Sequence, residues 1–383
     1  MNNVIFLGLV SFFTDASTEM VYPLIPLYLT MAFGATPALV GVIEGIAESL
    51  ASLLKVYSGY ASDRFQKKKA LAFAGYSAAL FYKIVLIFAG SWGGVLFARV
   101  VDRFGKGIRT APRDVLVGES AGVGAMGKAF GLHKALDKAG AALGILITFY
   151  MLKYGFSDYQ NVFLISMIPA VLGLFMFFFI KETTVVPPQK SRPRLLKSMK
   201  GLDGRLKLYL LVVMLFTLGN SSNAFLLLKA ESLGFGAGSI ILLYFAYNIT
   251  ASILSLPLGR LSDNVGRKSL LVSGYLVFSV VYLGFAFAWN QPILASMFVL
   301  YGVYTAMVAG VERAFVAEIA PPELKGTMLG LQSTVAGIAL LPASVITGLL
   351  WNVFGSAVPF VFGAALSFAA AMILMIFWRN NGR

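Results

Sequence analysis

The sequence has no cysteine and a single histidine, His133. Disulfides and thiolate metal sites are therefore excluded, the redox compartment stays open, and no ligand set for a transition-metal centre is on offer. Charge is scarce as well. Asp, Glu, Lys and Arg make up 13% of the 383 residues, where a water-soluble domain carries about 25%. Acidic residues are scarcest, 17 against 31 Lys and Arg, which leaves a net charge of +14. In so apolar a chain that excess marks loops kept in the cytoplasm and not a nucleic-acid partner. There is no Ser/His/Asp grouping and no nucleotide-binding loop. The loops are too small for a soluble catalytic domain, so neither an enzyme nor a cofactor is expected. The opening "MNNVIFLGLV" has no basic n-region and reads as a retained first span, not a signal peptide.

What is present is apolar sequence in long runs, 58% of the chain. A membrane span needs about 20 mostly apolar residues. Twelve windows qualify: 4–31, 37–61, 70–90, 92–112, 127–152, 159–181, 207–231, 238–261, 269–289, 292–316, 325–350 and 355–378. Lipid leaves backbone polar groups no partner outside the chain, so these spans must be helices. Connections as short as "GSW" and "NQP" force neighbouring spans antiparallel. Basic residues gather between spans two and three (Arg64, Lys67, Lys68, Lys69), between six and seven, between eight and nine (Arg267, Lys268) and at Arg379 and Arg383. That asymmetry puts both termini in the cytoplasm, with a bacterial inner (plasma) membrane as the expected location. The long polar segment from Glu182 to Arg205 divides the spans into two sets of six. The expected organisation is an N-terminal bundle (1–181), a linker (182–206) and a C-terminal bundle (207–383).

The two halves share a polar phrase. "GYASDRFQKKK" starts at Gly59 and "GRLSDNVGRK" at Gly259, two hundred positions on. Each copy, read as a loop, has Gly, then Asp at the fifth position, then basic residues at the ninth and tenth. The glycine would let helices approach closely, the aspartate would sit against a helix N-terminus, and the basic residues would hold the membrane surface. This repeat resembles the hallmark of the major facilitator superfamily, and the likeness extends over the whole chain. "RFGKGIRTA" (Arg103 to Ala111) resembles the family's fourth-span pattern, and "KET" (Lys181 to Thr183) the triplet that closes span six. Departures are Gln66 for the usual glycine and Asn264 for a basic residue. The resemblance implies twelve helices in two pseudo-symmetric six-helix bundles that rock around a central cavity. It also implies a cytoplasmic gate braced by Asp63 and Asp263, each against the start of span eleven or five. Gly59, Arg64, Lys67, Arg113, Gly259 and Arg267 are gate candidates with them.

Charges inside the spans carry the functional reading. Asp15, Glu48, Arg103 and Asp137 fall near the midplane at 1.5 Å per residue, with Glu19, Glu44 and Arg99 nearer the outside. Such charges must line a path or pair with one another. Asp15 and Glu19 share a helix face, as do Glu44 and Glu48, Arg99 and Arg103, and His133 and Asp137. Burial raises a carboxylate's affinity for a proton and a nearby arginine lowers it again. A carboxylate that alternates between water and an arginine is thus a minimal proton-coupling device. Asp15, Glu19, Glu44, Glu48, Arg103, His133 and Asp137 are the coupling candidates; fixed ion pairs holding the bundle together are the competing account. Sliding by the repeat sets Glu48 against Asn248, and aligning "STE" in span one with "SSN" in span seven sets Glu19 against Asn223, so the second half carries amides where the first carries acids. Asn220, Asn223, Tyr247, Asn248, Tyr304 and Gln332, with Arg99, are the substrate candidates; interhelical hydrogen bonding is the alternative use of these asparagines. The expected protein is a monomeric secondary transporter, moving a small organic molecule with protons across the bilayer, as an exporter. An importer or exchanger of a small anion, held by the arginines of span four, is the alternative; a receptor would not need so many midplane charges.

Overall fold

In the computed structural model, which describes residues 2–65, 67–120, 126–155, 158–181, 204–320 and 325–376, every regular element is a helix. The first span is α1 (Asn2–Val21), a 3-10 turn (Tyr22–Leu24) and α2 (Ile25–Phe33). Spans two to six are α3 (Pro37–Phe65), α4 (Lys68–Ile87), α5 (Trp92–Ser120), α6 (Met126–Lys153) and α7 (Tyr159–Phe177). Span seven is α8 (Gly204–Gly219) with α9 (Ala224–Ser232), span eight α10 (Ala237–Val265) and span nine α11 (Arg267–Phe287). Span ten is α12 (Gln291–Val308) with α13 (Val311–Ile319), followed by α14 (Lys325–Phe354) and α15 (Val358–Ile376). Among the described residues, 11 helices, counting broken ones as one, are long and apolar enough to cross a membrane. The exception is α5, whose charges lower its hydropathy but are largely buried against protein: Arg99, Asp102, Arg103 and Arg109 are all on its covered side.

Three spans expected to be continuous are broken. Pro23 and Pro26 remove backbone donors in the first, giving the 3-10 turn and a fresh helix start. Span seven opens over Asn220–Asn223, where Asn and Ser side chains compete for backbone hydrogen bonds. Span ten breaks at Ala309 and Gly310. The repeated polar phrase is corrected too, because most of it is helix and not loop. Helix α3 runs through Phe65 and α10 through Val265. In the second copy Gly266 makes the turn at φ 89, a left-handed conformation that glycine adopts without strain. Its counterpart Gln66 lies outside the described residues, as do the side chains of Gly59, Asp63 and Arg64, the linker residues 182–203, and the terminal Arg379 and Arg383.

The chain forms two compact units, Met1–Val185 with Ala224–Phe245, and Val186–Asn223 with Ala246–Arg383. In the first, α1 packs on α6 and α7, and α5 on α3 and α4. The α1–α6 contact is very close: a Cβ on Gly140 or Gly144 would lie 2.1 Å from the carbonyl oxygen of Phe12 or Ala16. Thus "GAALG" is a packing face, as its small residues suggest. Helix α9 and the start of α10 complete this unit, with the Thr30 hydroxyl donating to Glu231 at 3.2 Å. The second unit has α11 against α12 and α15, and α8 against α14 and α15. Its core is aromatic, with Phe216 stacked on Tyr275 at 4.2 Å and Phe278 on Tyr282 at 3.9 Å.

Candidate functional site

Helix α5 turns its arginines toward the acidic face of α3. Arg99 grips Glu44 with two hydrogen bonds, Nε to Oε1 at 2.9 Å and Nη2 to Oε2 at 2.8 Å. Both side chains are 1% exposed. One turn further, Arg103 Nη2 meets Glu48 Oε1 at 3.0 Å, with Arg99 Nη2 3.9 Å from the same oxygen. Asp102 lies 3.3 Å from Arg99 and 3.6 Å from Arg103. The Tyr22 ring, at the break in span one, faces both guanidiniums at 5.2 and 5.4 Å, within cation–π range. Two arginines and three carboxylates thus share one site, whose formal charge is −1 when all are ionised. The two α3 acids differ in access: the Glu48 side chain is 28% exposed, that of Glu44 1%. A bidentate pair sealed from water suits a fixed brace. A single ion contact on an acid with one side open suits a group that exchanges partners.

The other acids of this unit lie along α1 and α6. Close α1–α6 packing brings the carboxyls of Asp15 and Asp137 side by side. Asp137 also takes a hydrogen bond from Lys134 Nζ at 2.5 Å. Glu19 accepts from the Tyr244 hydroxyl at 3.1 Å. His133, expected to share a face with Asp137, is buried at 4% exposure, and its Nε2 has no hydrogen-bond partner among the described residues. Lys83, fully buried, donates to the Ala79 carbonyl at 2.7 Å. Tyr22, Asp102 and Tyr244 were not among the sequence candidates. Tyr22 could have been found from its place beside Pro23, where a span is apt to break.

In the second unit four of the expected substrate residues converge. Asn220 Nδ2 donates to the Tyr304 hydroxyl at 2.9 Å and Asn223 Nδ2 to that of Tyr247 at 3.4 Å. Tyr301, missed from the sequence, completes the group by donating to Asn223 Oδ1 at 2.9 Å. Its position three residues before Tyr304 on one helix face was the available signal. The asparagines come from the break in span seven. Asn248 gives its carbonyl to Ser252 at 2.8 Å. Gln332, buried on α14, makes no hydrogen bond to this group. Among the described residues no set of three or more His, Asp or Glu could hold a metal ion.

Of the gate candidates, Asp263 pairs with Arg267 at 3.2 Å, and Arg267 reaches Glu318 on α13 at 2.8 Å. Gly259 is not a close-packing point, since a Cβ there would meet no described atom within 4 Å. Arg113 pairs with its neighbour Asp114 at 2.8 Å, and Lys67 is exposed at the start of α4.

Comparison with known proteins agrees with this architecture. The sequence model of the Major Facilitator Superfamily matches residues 7–228 and 208–383. The chain is 36% identical over 379 residues to the uncharacterized MFS-type transporter MJ1317 of Methanocaldococcus jannaschii, covering 97% of this chain and 94% of that one. It is 30% identical over 189 residues to a homolog of the multi-drug resistance efflux pump PmrA from Lactococcus lactis, covering 48% of this chain and 46% of that protein. The crystal structure of the nucleoside transporter NupG superposes with a TM-score of 0.82 over 100% of each chain, at 12% identity. The chain therefore belongs to the Major Facilitator Superfamily of membrane transporters.

Proposed function

We propose that this transporter exports a small organic solute in exchange for protons, with Glu48 as the coupling carboxylate. The observation that carries the reading is the Glu48–Arg103 pair at 3.0 Å, in which the acid is 28% exposed while its guanidinium is 3% exposed. One side of Glu48 is open and a fixed cation holds the other. Protonation would release the acid from Arg103 and remove a charge from the cluster, so the proton occupancy of Glu48 would differ in stability between conformations. Export is favoured by the efflux pump among the relatives. Asn220, Asn223, Tyr247, Tyr301 and Tyr304 offer rings and neutral hydrogen-bonding groups suited to an uncharged or amphiphilic substrate. Uptake of an anion draws less support, because Arg99 and Arg103 already carry Glu44, Glu48 and Asp102. A substrate anion would have to displace one of them.

The test is transport in proteoliposomes containing a pH-sensitive dye, screened against pooled drugs and metabolites. Substrate added to the wild type should move protons, and Glu48→Gln should exchange substrate but no longer accumulate it against a gradient. Full accumulation by Glu48→Gln with an unchanged pH profile would remove Glu48 from the mechanism.

A further inference from the structure

A second carboxyl, in the other unit, has a different environment. Glu312 lies in the first turn of α13, just beyond the break in span ten. Its described hydrogen bond comes from the Tyr275 hydroxyl on α11, which reaches Oε1 at 2.8 Å. No described Lys, Arg or His forms an ion pair with it, whereas Glu44, Glu48 and Asp102 are each held by an arginine. The groups facing it are phenols: Tyr275 from α11, Tyr209 from α8 and Tyr304 from α12. Tyr209 packs its ring on Phe315, one turn along α13, at 5.1 Å. Its hydroxyl is buried without a hydrogen-bond partner. On α13 itself the neighbouring Arg313 is exposed and forms no ion pair with Glu312, though its charge acts on it. Helix α14, which also packs on α13, has one charged residue, Lys325, whose side chain lies outside the described residues. On α11, Arg267 is engaged by Asp263 and Glu318.

We propose that Glu312 binds an exchangeable proton, giving the second unit a proton site of its own. A half-buried carboxylate with no ion-pair partner gains more from a proton than one held by arginine. The phenol of Tyr275 suits both states, since a hydroxyl donates to a carboxylate and accepts from a carboxylic acid. The unpartnered Tyr209 hydroxyl is a further donor for the ionised form. The first-turn N–H groups of α13 favour the ionised form too, which keeps the proton removable. This goes beyond the role given to Glu48, because a proton site here stands whether or not Glu48 couples transport.

Infrared spectroscopy of the full chain in lipid films, titrated with pH, reads the site without any substrate. The wild type should lose a carboxylic-acid C=O component as pH rises, and E312Q should lack that component throughout. In Y275F the component should persist at a displaced frequency, because its hydrogen bond is gone. That displacement assigns the band to Glu312 even if E312Q does not fold. Wild type and E312Q with identical carboxylic-acid bands, or Y275F with its bands all in place, would overturn the proposal.

Discussion

A guanidinium keeps its charge even when buried, so Arg103 cannot itself carry the proton. It can bias the acid beside it. With Glu48 3.0 Å away, replacing Arg103 by Gln removes the nearer of the two guanidiniums beside Glu48. The pH of half-maximal transport should then move upward by about one to three units, the usual effect of one adjacent opposite charge. Substrate affinity should change little. Transport rate and binding constant titrated in the same variant check this; an unchanged pH profile with a large loss of affinity would point to anion binding. The acidic pairs Asp15/Glu19 and Glu44/Glu48 were legible from spacing alone, because a helix sets residues four apart on one face. Which acid took which arginine was not. That depends on the rotation of α3 against α5, and no periodicity within either helix reports it. Glu312 escaped for a simpler reason: it is a lone acid in an apolar window, with no partner at helical spacing to draw attention to it.

At the scale of elements, the tight seam between α1 and α6 is the most directly testable. A Cβ on Gly144 would lie 2.1 Å from the Ala16 oxygen, so Gly144→Ala must push α1 away. Overpacking of this kind costs roughly 1–3 kcal/mol. A lowered melting temperature in detergent is expected, and an unchanged one would mean that the two helices part freely. Hydropathy made the spans legible because the bilayer requires length and apolarity of nearly every one. It could not show that spans one, seven and ten are broken. Pro23, the Asn220–Asn223 stretch and Gly310 are all tolerated in a membrane helix when neighbouring helices satisfy the freed backbone groups, and only packing reveals which tolerated residue opens a break. The helical form of the polar repeat was hidden likewise, since polar residues at the end of a span read as loop although the helix runs on to Phe65 and Val265.

At the scale of the molecule, the two units divide the chain inside spans seven and eight, at Asn223/Ala224 and Phe245/Ala246. The first of these points falls in the helix break that supplies Asn220 and Asn223, the residues bonded to Tyr247, Tyr301 and Tyr304. A substrate that took over those hydrogen bonds would act on the helix break itself. The buried ion pair has a consequence of another kind. Glu48 lies a little over half way along the apolar stretch Pro37–Lys55, so a proton reaching it from either side crosses part of any electric potential across the bilayer. One charge moved through 100 mV is worth about 2.3 kcal/mol, and half of that distance about 1.2 kcal/mol. The pH of half-maximal transport should therefore shift by about 0.8 units per 100 mV, measurable in proteoliposomes held at potassium diffusion potentials. A profile that ignores the imposed potential would place the coupling proton outside the membrane field. With Glu48 as the coupling carboxylate at that depth, proton binding would respond to voltage as well as to pH, and an energised membrane would shift its occupancy even with no difference in acidity between the two sides.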